Sequence, residues 1–397
     1  MPTALRAPER HELQPILQAA HDFAARAPEW YQETPRFPAQ AINWLRSHGL
    51  LAVGLRESGL DLGAGRTLEL LEILKCVGYG DLSTGRLFEG HVNALQLVNR
   101  FGTPAQQEAL AADVVNRGML AAVWNTDDGS PLELHPEGDG YRLEGAKSFA
   151  SGADNIDRPL ITAQWPDGRR QLVLVPVEAA TTRVEQGWWN PIGMEASESV
   201  LVDFTGTMLD ASALIGAPDD YLRQPWFFGG AIRFAAVQLG GAEALFDEAR
   251  RILQRLERTG DPYQRQRAGQ AAILVENGNH WLLGAAERFD AAGPAGLECE
   301  AELLVAYVHM ARSAIERICL DVMELCVRSI GAQGLARAGR FQRIVRDLNL
   351  YLRQPAPDAA LAAVGAFALE SPAGAIDLWR LGGDALASSP SPNGHSD

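Results

Sequence analysis

Three long stretches after residue 223 do most to limit the fold. "AIRFAAVQLGGAEALFDEARRILQRLER", "QRAGQAAILVENGNHWLLGAAERFDAA" and "ECEAELLVAYVHMARSAIERICLDVMELCVRSIG" repeat apolar residues at three- and four-residue steps, the spacing that lays one apolar stripe along a helix. Stripes that long are buried only against one another, so the pattern predicts an antiparallel bundle of long helices over 223 to about 368. Between about 119 and 222 the texture changes. "MLAAVWNT", "GYRLEGAKSFASG", "LITAQWPDGRRQLVLVPV" and "SVLVDFTGTML" read as short strands, parted by the turn signals "EGDG", "PDGR" and "NPIG". "WPDGRR" between two β-rich runs predicts a hairpin. Upstream, "HELQPILQAAHDFAARA" and "FPAQAINWLRSHGLL" have helical periodicity, and "RTLELLEILKCVGYG" and "EGHVNALQLVNRFG" each close on a glycine suited to a helix C-cap. The order is α, then β, then α. It predicts an α+β chain with an all-helical domain over 1–118, a β domain over 119–222, a helical bundle over 223–375 and a disordered tail over 376–397, ending "ASSPSPNGHSD".

The chain's 397 residues are enough for two or three cores. A formal net charge of -15 argues against nucleic acid as a general partner. The longest apolar runs, such as "LVLVPV" (172–177), fall far short of the roughly 20 residues of a membrane span. "MPTALRAPERHELQ" has no apolar signal region, so a cytoplasmic protein without a membrane partner is expected. Cys76, Cys299, Cys319 and Cys326 lack CxxC or zinc-ligand spacing. They read as thiols in a reducing compartment, with no metal role. No GxGxxG follows a strand, and GxxxxGK[ST], GxSxG and HExxH do not occur. That disfavours nicotinamide-binding Rossmann, P-loop, α/β-hydrolase and zinc-hydrolase chemistry.

Three segments of the strand-rich region remain. "VWNTDDGSP" (123–131) ends a strand with hydroxyls and a glycine able to hold a polar ring or a phosphate. "GAKSFASGADNID" (145–157) sets Phe149 near Ser151, and "WWNPIGMEASESVLVDFTGTMLDASALIG" (188–216) closes the region. Singly, each is an ordinary turn. In this order, inside an α–β–α chain, they resemble the acyl-CoA dehydrogenase superfamily from about residue 12 to 368. "NPIGMEASESVLVDF" resembles its central glycine–serine segment, "SIGAQG" (329–334) its glycine-rich turn and "RDLNLY" (346–351) its arginine–aspartate helix.

The resemblance implies an N-terminal helical domain, a central β-barrel or sheet domain and a C-terminal four-helix bundle. It also implies FAD bound between them and across the interface of a homodimer or homotetramer. By position, Thr126 and Ser130 match contacts to the flavin ring and phosphates, and Phe149 and Ser151 the aromatic and hydroxyl beside the ring. Gly331, Gln333 and Gly334 match the adenosine-side turn, and Arg255 or Arg258 the arginine that reaches FAD from a neighbouring subunit. Two departures stand out: "ERTG" replaces the family's "R.QFG", and "TDDGSP" is shorter than its counterpart.

A third departure concerns the catalytic base. The family's glutamate falls on Pro355, and the alternative position used by some members, beside Arg233, falls on Ile232. A general base is typically worth about 10²–10⁴-fold, so its loss matters. Asp358 is the nearest carboxylate able to step in. The superfamily also includes monooxygenases that lack the glutamate and use a histidine and a serine around a flavin C4a-hydroperoxide, roles His91 and Ser151 would fill. Trp124, Trp188 and Trp189 read as core. The expected function is therefore an FAD-dependent oxidoreductase acting on a CH–CH group of an acyl-CoA or acyl-like small molecule, with an electron-transfer partner. The alternatives are a flavin monooxygenase served by a separate flavin reductase, and a flavin-free binding or scaffold protein.

Overall fold

The computed structural model describes residues 10–30, 36–179, 182–336, 338–353 and 356–381. Helices come first: α1 (Arg10–Arg26), α2 (Ala39–Ser47), α3 (Thr67–Gly80), α4 (Leu82–Phe101) and α5 (Pro104–Arg117). Gly102 is the C-cap of α4, its amide donating to the Val98 carbonyl at 2.8 Å, whereas Gly80 works differently from expectation. After Gly80 the chain passes through the extended Asp81 straight into α4, and the Asp81 carboxylate caps α4 by accepting from the Thr84 amide at 2.7 Å. Gly102 has φ of -73°, so its role is steric: a Cβ there would stand 2.6 Å from the Val98 carbonyl. Thr103 and Gln106 then form a capping box that starts α5.

The strands follow: β1 (Ala121–Trp124), β2 (Glu133–Glu137), β3 (Gly140–Glu144), β4 (Ala146–Ala150), β5 (Arg158–Gln164), β6 (Arg170–Leu174), β7 (Arg183–Glu185), β8 (Val200–Asp203), β9 (Met208–Leu209) and β10 (Leu214–Ile215). The larger sheet runs β10-β6-β5-β2-β3-β9, with β1 parallel to β5; the smaller runs β4-β8-β7. The expected hairpin is β5–β6, with Gln164 opposite Arg170 and Gly168 at φ 90° in the turn.

Six helices complete the described chain: α6 (Ala231–Arg255), α7 (Pro262–Gly296), α8 (Ala301–Ile330), α9 (Ala332–Ala336), α10 (Arg340–Tyr351) and α11 (Pro357–Glu370). α6 is the central element, packed on α3, α7, α8 and α10. Its approach to α3 is backbone to backbone. A Cβ on Gly78 would lie 2.3 Å from the Val237 carbonyl, and one on Gly240 would lie 2.1 Å from the Lys75 carbonyl.

The packed chain runs further than the expected tail boundary at 376. Trp379 stacks on Phe367 at 5.3 Å, and Leu381 is buried. Residues 382–397, the rest of the expected tail, lie outside the described residues. Cys76, Cys319 and Cys326 are buried and Cys299 is exposed. Among the described residues, no helix is long and apolar enough to cross a membrane, and no group of three or more His, Cys, Asp or Glu is gathered as metal ligands.

Candidate active site

An exposed aromatic in the strand region holds a left-handed backbone conformation. Between Lys147 and Ala150 the register of β4 against β8 shifts, and Phe149 takes φ of 53° there. Such a conformation costs a bulky residue on the order of 1–3 kcal/mol and persists mainly where the surroundings over-determine it. Phe149 is 52% exposed. Trp188 meets it edge-on at 4.9 Å and Trp189 at 6.3 Å. Trp124 is core, as the sequence indicated. Trp189 is partly buried against the core, but Trp188 is 38% exposed, and the stacked pair form the wall against which the Phe149 ring stands.

Ser151 lies behind that ring, buried. Its carbonyl accepts from the Trp124 indole at 3.2 Å, and its hydroxyl lies 2.8 Å from the Ser199 hydroxyl. Ser199 is in turn 2.8 Å from the Ser197 hydroxyl, which donates to the Met194 carbonyl at 2.7 Å. All three serines are buried.

The adjacent loop, 125–131, carries Thr126 and Ser130, both exposed. It is held from below. Lys147, with no exposed surface, donates to the Asp127 carboxylate at 2.5 Å and the Thr162 hydroxyl at 3.0 Å; Arg170 donates to the other Asp127 oxygen at 2.9 Å. Burial pushes the Lys147 amine down to about 8. Burial raises the Asp127 carboxyl, but its bonds to Lys147 and Arg170 outweigh that and hold it below its ordinary value. The pair therefore stays ionised near neutral pH and pins the loop.

The "RD" and "NPIGM" segments meet each other. Asp347 on α10 accepts from the Met194 amide at 2.6 Å, and Arg346 donates to Glu195 at 2.9 Å. Gly193 lets the two backbones touch, since a Cβ there would stand 2.2 Å from the Arg346 carbonyl oxygen. Burial, opposed by Arg343, pushes the Asp347 carboxyl up to about 6.

The helices α4, α6 and α10 carry a buried polar cluster. Glu89 on α4 accepts from Arg86 at 3.0 Å and lies 3.8 Å from Arg233 Nε. The other Arg233 nitrogens reach Gln96 at 2.7 Å and Asn93 at 2.5 Å. Among the described residues, neither Arg233 Nε nor Tyr351 Oη, both buried, has a hydrogen-bond partner. Native interiors leave few such groups, and each calls for a water or a ligand.

His91 corrects the sequence reading. It is fully buried: Nε2 donates to the Leu51 carbonyl at 2.7 Å, and Nδ1 accepts from the Ala121 amide at 2.9 Å. Both ring nitrogens are taken, and burial pushes its pKa down to about 4. It staples α4 to the start of β1 as a neutral imidazole, with no atom left for a ligand.

Profiles of the acyl-CoA dehydrogenase N-terminal and C-terminal domains match residues 11–117 and 232–352. The chain belongs to the acyl-CoA dehydrogenase family. Its relatives include a dibenzothiophene monooxygenase of Mycolicibacterium goodii, 24% identical over 356 residues, 82% of this chain and 86% of the relative. The mitochondrial isobutyryl-CoA dehydrogenase of Bos taurus is 23% identical over 350 residues, 84% of this chain and 82% of the relative. Among solved structures, TdsC from Paenibacillus sp. A11-2 with FMN and indole superposes with a TM-score of 0.78 at 21% identity, covering 91% of this chain and 97% of TdsC. That likeness is one of fold.

As an acyl-CoA dehydrogenase family member the chain departs from type at its base positions. Ile232 is apolar and fully buried. Pro355, which has no carboxylate, lies outside the described residues. Asp358 does not replace it: it is exposed in the first turn of α11, where its charge suits the helix N-terminus. Of the residues expected at FAD's adenosine side, three share the turn after α8, and the two arginines lie at the end of α6 and just beyond it. Gly331 caps α8 at φ 72°, Gln333 is exposed, and Gly334 makes room for Ile330 and Phe341. Arg255, at the end of α6, and Arg258, in the following turn, are exposed. Sequence reasoning missed the roles of Lys147, Asp127, Ser197, Ser199 and Tyr351. Only Lys147 left a local trace, a lone cation on the strand that carries Phe149.

Proposed function

We propose that this chain is a flavin-dependent monooxygenase that takes reduced flavin from a separate reductase and acts on a polar small molecule. One observation carries the reading: neither position at which the family carries its base has a carboxylate in this chain, Ile232 and Pro355 standing there. Ile232 is apolar, Asp358 faces solvent at α11, and Glu89 is committed to Arg86 and Arg233. The dehydrogenase reaction needs that base, whereas oxygen transfer does not.

The cleft's donor set fits a flavin. The half-exposed Phe149 face suits a flat ring, the buried Ser151 hydroxyl its polar edge, and the 125–131 loop, anchored through Lys147 and Asp127, a phosphate. Bound reduced flavin supplies the two electrons that split dioxygen, with one oxygen atom passing to substrate and the other leaving as water. The chain's own part is to stack the ring on Phe149 and exclude water with the Trp188–Trp189 wall. FMN is the favoured form, supported by TdsC, similar in fold, which is solved with FMN. The mycolicibacterial relative's name supports oxygenation. The Glu89–Arg233–Tyr351 cluster supports a substrate with an acceptor oxygen: an alkyl chain pressed there would leave the buried Tyr351 hydroxyl unpaired.

The test loads the protein with FMN and, separately, FAD. Isobutyryl-CoA added anaerobically to the oxidised holoprotein is expected to leave the flavin band intact. Air admitted to the pre-reduced holoprotein, with no substrate present, is expected to release hydrogen peroxide more slowly than free reduced flavin does, though in the same final amount. Anaerobic bleaching by isobutyryl-CoA would return the chain to the dehydrogenases. Retention of neither flavin would favour a binding protein.

A further inference from the structure

An open cavity lies apart from the cleft, where α2, the joint between α3 and α4, α6 and the first half of α10 come together. It holds about 760 Å³ out to its mouth, the size of a small-molecule site. The space exists because its walls are short. Ala27, Ala41, Gly241 and Ala244 line it with one carbon or none beyond the backbone, where close packing would ask for longer side chains. Tight helix contact separates it from the Arg233 cluster: a Cβ on Gly85 would stand 2.5 Å from Val237 Cγ1, and one on Gly241 2.6 Å from Leu82 Cδ2.

Part of the wall is charged. Arg340, Arg343 and Asp347 share one side of α10, spaced by three and four residues. Arg343 also lies 3.6 Å from Asp81 at the start of α4, and Arg36 stands exposed at the rim. Three arginines thus meet two carboxylates, and each carboxylate is already engaged. Asp81 accepts from the Thr84 amide at 2.7 Å and its hydroxyl at 2.8 Å, and Asp347 from the Met194 amide at 2.6 Å. Arg340 is less well satisfied. Its Nη2 donates to the Tyr79 carbonyl at 3.0 Å; its buried Nη1 lies 3.8 Å from Glu248 and has no hydrogen-bond partner among the described residues. What that nitrogen lacks is an acceptor oxygen. Much of the remaining wall is apolar, including Ala39, Ala41, Ala244 and Ile344.

We propose that this cavity is a second ligand site, separate from the cleft, for a small organic anion whose oxyanion meets the arginines and whose apolar body lies on the alanine wall. A neutral ligand would leave the excess positive charge uncompensated, and a cation would add to it. The cleft and its flavin play no part in the binding.

The test is calorimetric titration of the full-length protein with three probes of one shape: 1-naphthoate, 1-naphthalenemethanol and 1-naphthylmethylammonium. Naphthoate is expected to bind at least about tenfold more tightly than the alcohol, the worth of one charge-assisted hydrogen bond, and the ammonium not at all. Arg340→Gln should weaken naphthoate by about tenfold or more and leave the alcohol unchanged. Ala39→Trp, at an exposed position on the cavity wall, should weaken both. If Arg340→Gln does not fold, Arg36→Gln at the rim reads the charge alone, with a loss of about twofold to fivefold. Naphthoate that binds no better than the alcohol, or equally well to the folded arginine variant and to Ala39→Trp, overturns the inference. So does a folded wild-type chain that takes up no naphthoate. FMN at saturation should displace none of the bound naphthoate; displacement would put the probe in the flavin cleft and overturn a separate site.

Discussion

Replacing Gly193 with alanine tests whether the β region is bolted to α10 as described. The new Cβ would stand 2.2 Å from the Arg346 carbonyl oxygen, 2.5 Å from its carbon and 2.9 Å from the Asp347 amide nitrogen. Comfortable contact begins near about 3.5 Å. All three neighbours are backbone of one helix, so the loop must retreat by about 1 Å. The 2.6 Å bond from the Met194 amide to Asp347 cannot survive that move with good geometry. Overpacking costs about 1–3 kcal/mol, and a buried group deprived of its partner about 1–3 kcal/mol. The variant should therefore lose about 2–5 kcal/mol in a urea unfolding curve. Ser197 and Ser199 ride on the same loop, so flavin affinity should fall with it. Gly365→Ala is the control: nothing lies within 4 Å of a Cβ at that helical site, and it should stabilise by about 0.5–1 kcal/mol. A Gly193→Ala midpoint matching wild type to within about 0.5 kcal/mol refutes the clamp.

Other perturbations reach the remaining parts of the site. Glu89→Ala strips the carboxylate from between Arg86 and the buried Arg233 and should cost about 3–5 kcal/mol by urea unfolding. Lys147→Met keeps the bulk of the stem but leaves Asp127 short of its closest cation; stability should drop by a similar about 3–5 kcal/mol, and FMN titration should show weaker binding. The unfolded His91 takes a proton below about 6.5 and the folded one only near about 4, so its contribution is lost as pH falls through that window, by up to about 3 kcal/mol. Unfolding curves at pH 7 and 4.5 should show Glu or amide replacements behaving differently from wild type: His91→Gln, less stable at pH 7, should close part of the gap at 4.5. Asp347 has the opposite sign. Its folded value near 6 exceeds the ordinary 3.8, so stability present at pH 3.8 is lost as pH rises through 6, and Asp347→Asn should gain on wild type over that range.

The helices and the β5–β6 hairpin were legible because their signals are local: a period of three to four residues, and a glycine at the turn. The family motifs were legible as a set, though their physical meaning was not. "RDLNLY" read only as the family's arginine–aspartate helix, whereas Arg346 and Asp347 spend their charges holding "NPIGM". His91 looked chemical because a histidine on a helix gives no sign of burial; its two partners, Leu51 and Ala121, are distant in sequence. Glu89 carries no local signal of its role: Arg233, from the far side of the β region, makes it the centre of a cluster. The strain at Phe149 was invisible, since aromatics rarely adopt positive φ and nothing in "KSFAS" announces a bulge.

The bare contact between α3 and α6 also has a consequence in time. Gly78 cannot find the Val237 backbone until the chain has been made more than a hundred residues further. At typical rates of synthesis that is on the order of ten seconds. For that interval the nascent N-terminal helices hold an apolar face shaped for a backbone that does not yet exist. Their survival on the ribosome depends on shelter from chaperones or on transient packing among themselves, and the native core closes only when the last third of the protein arrives.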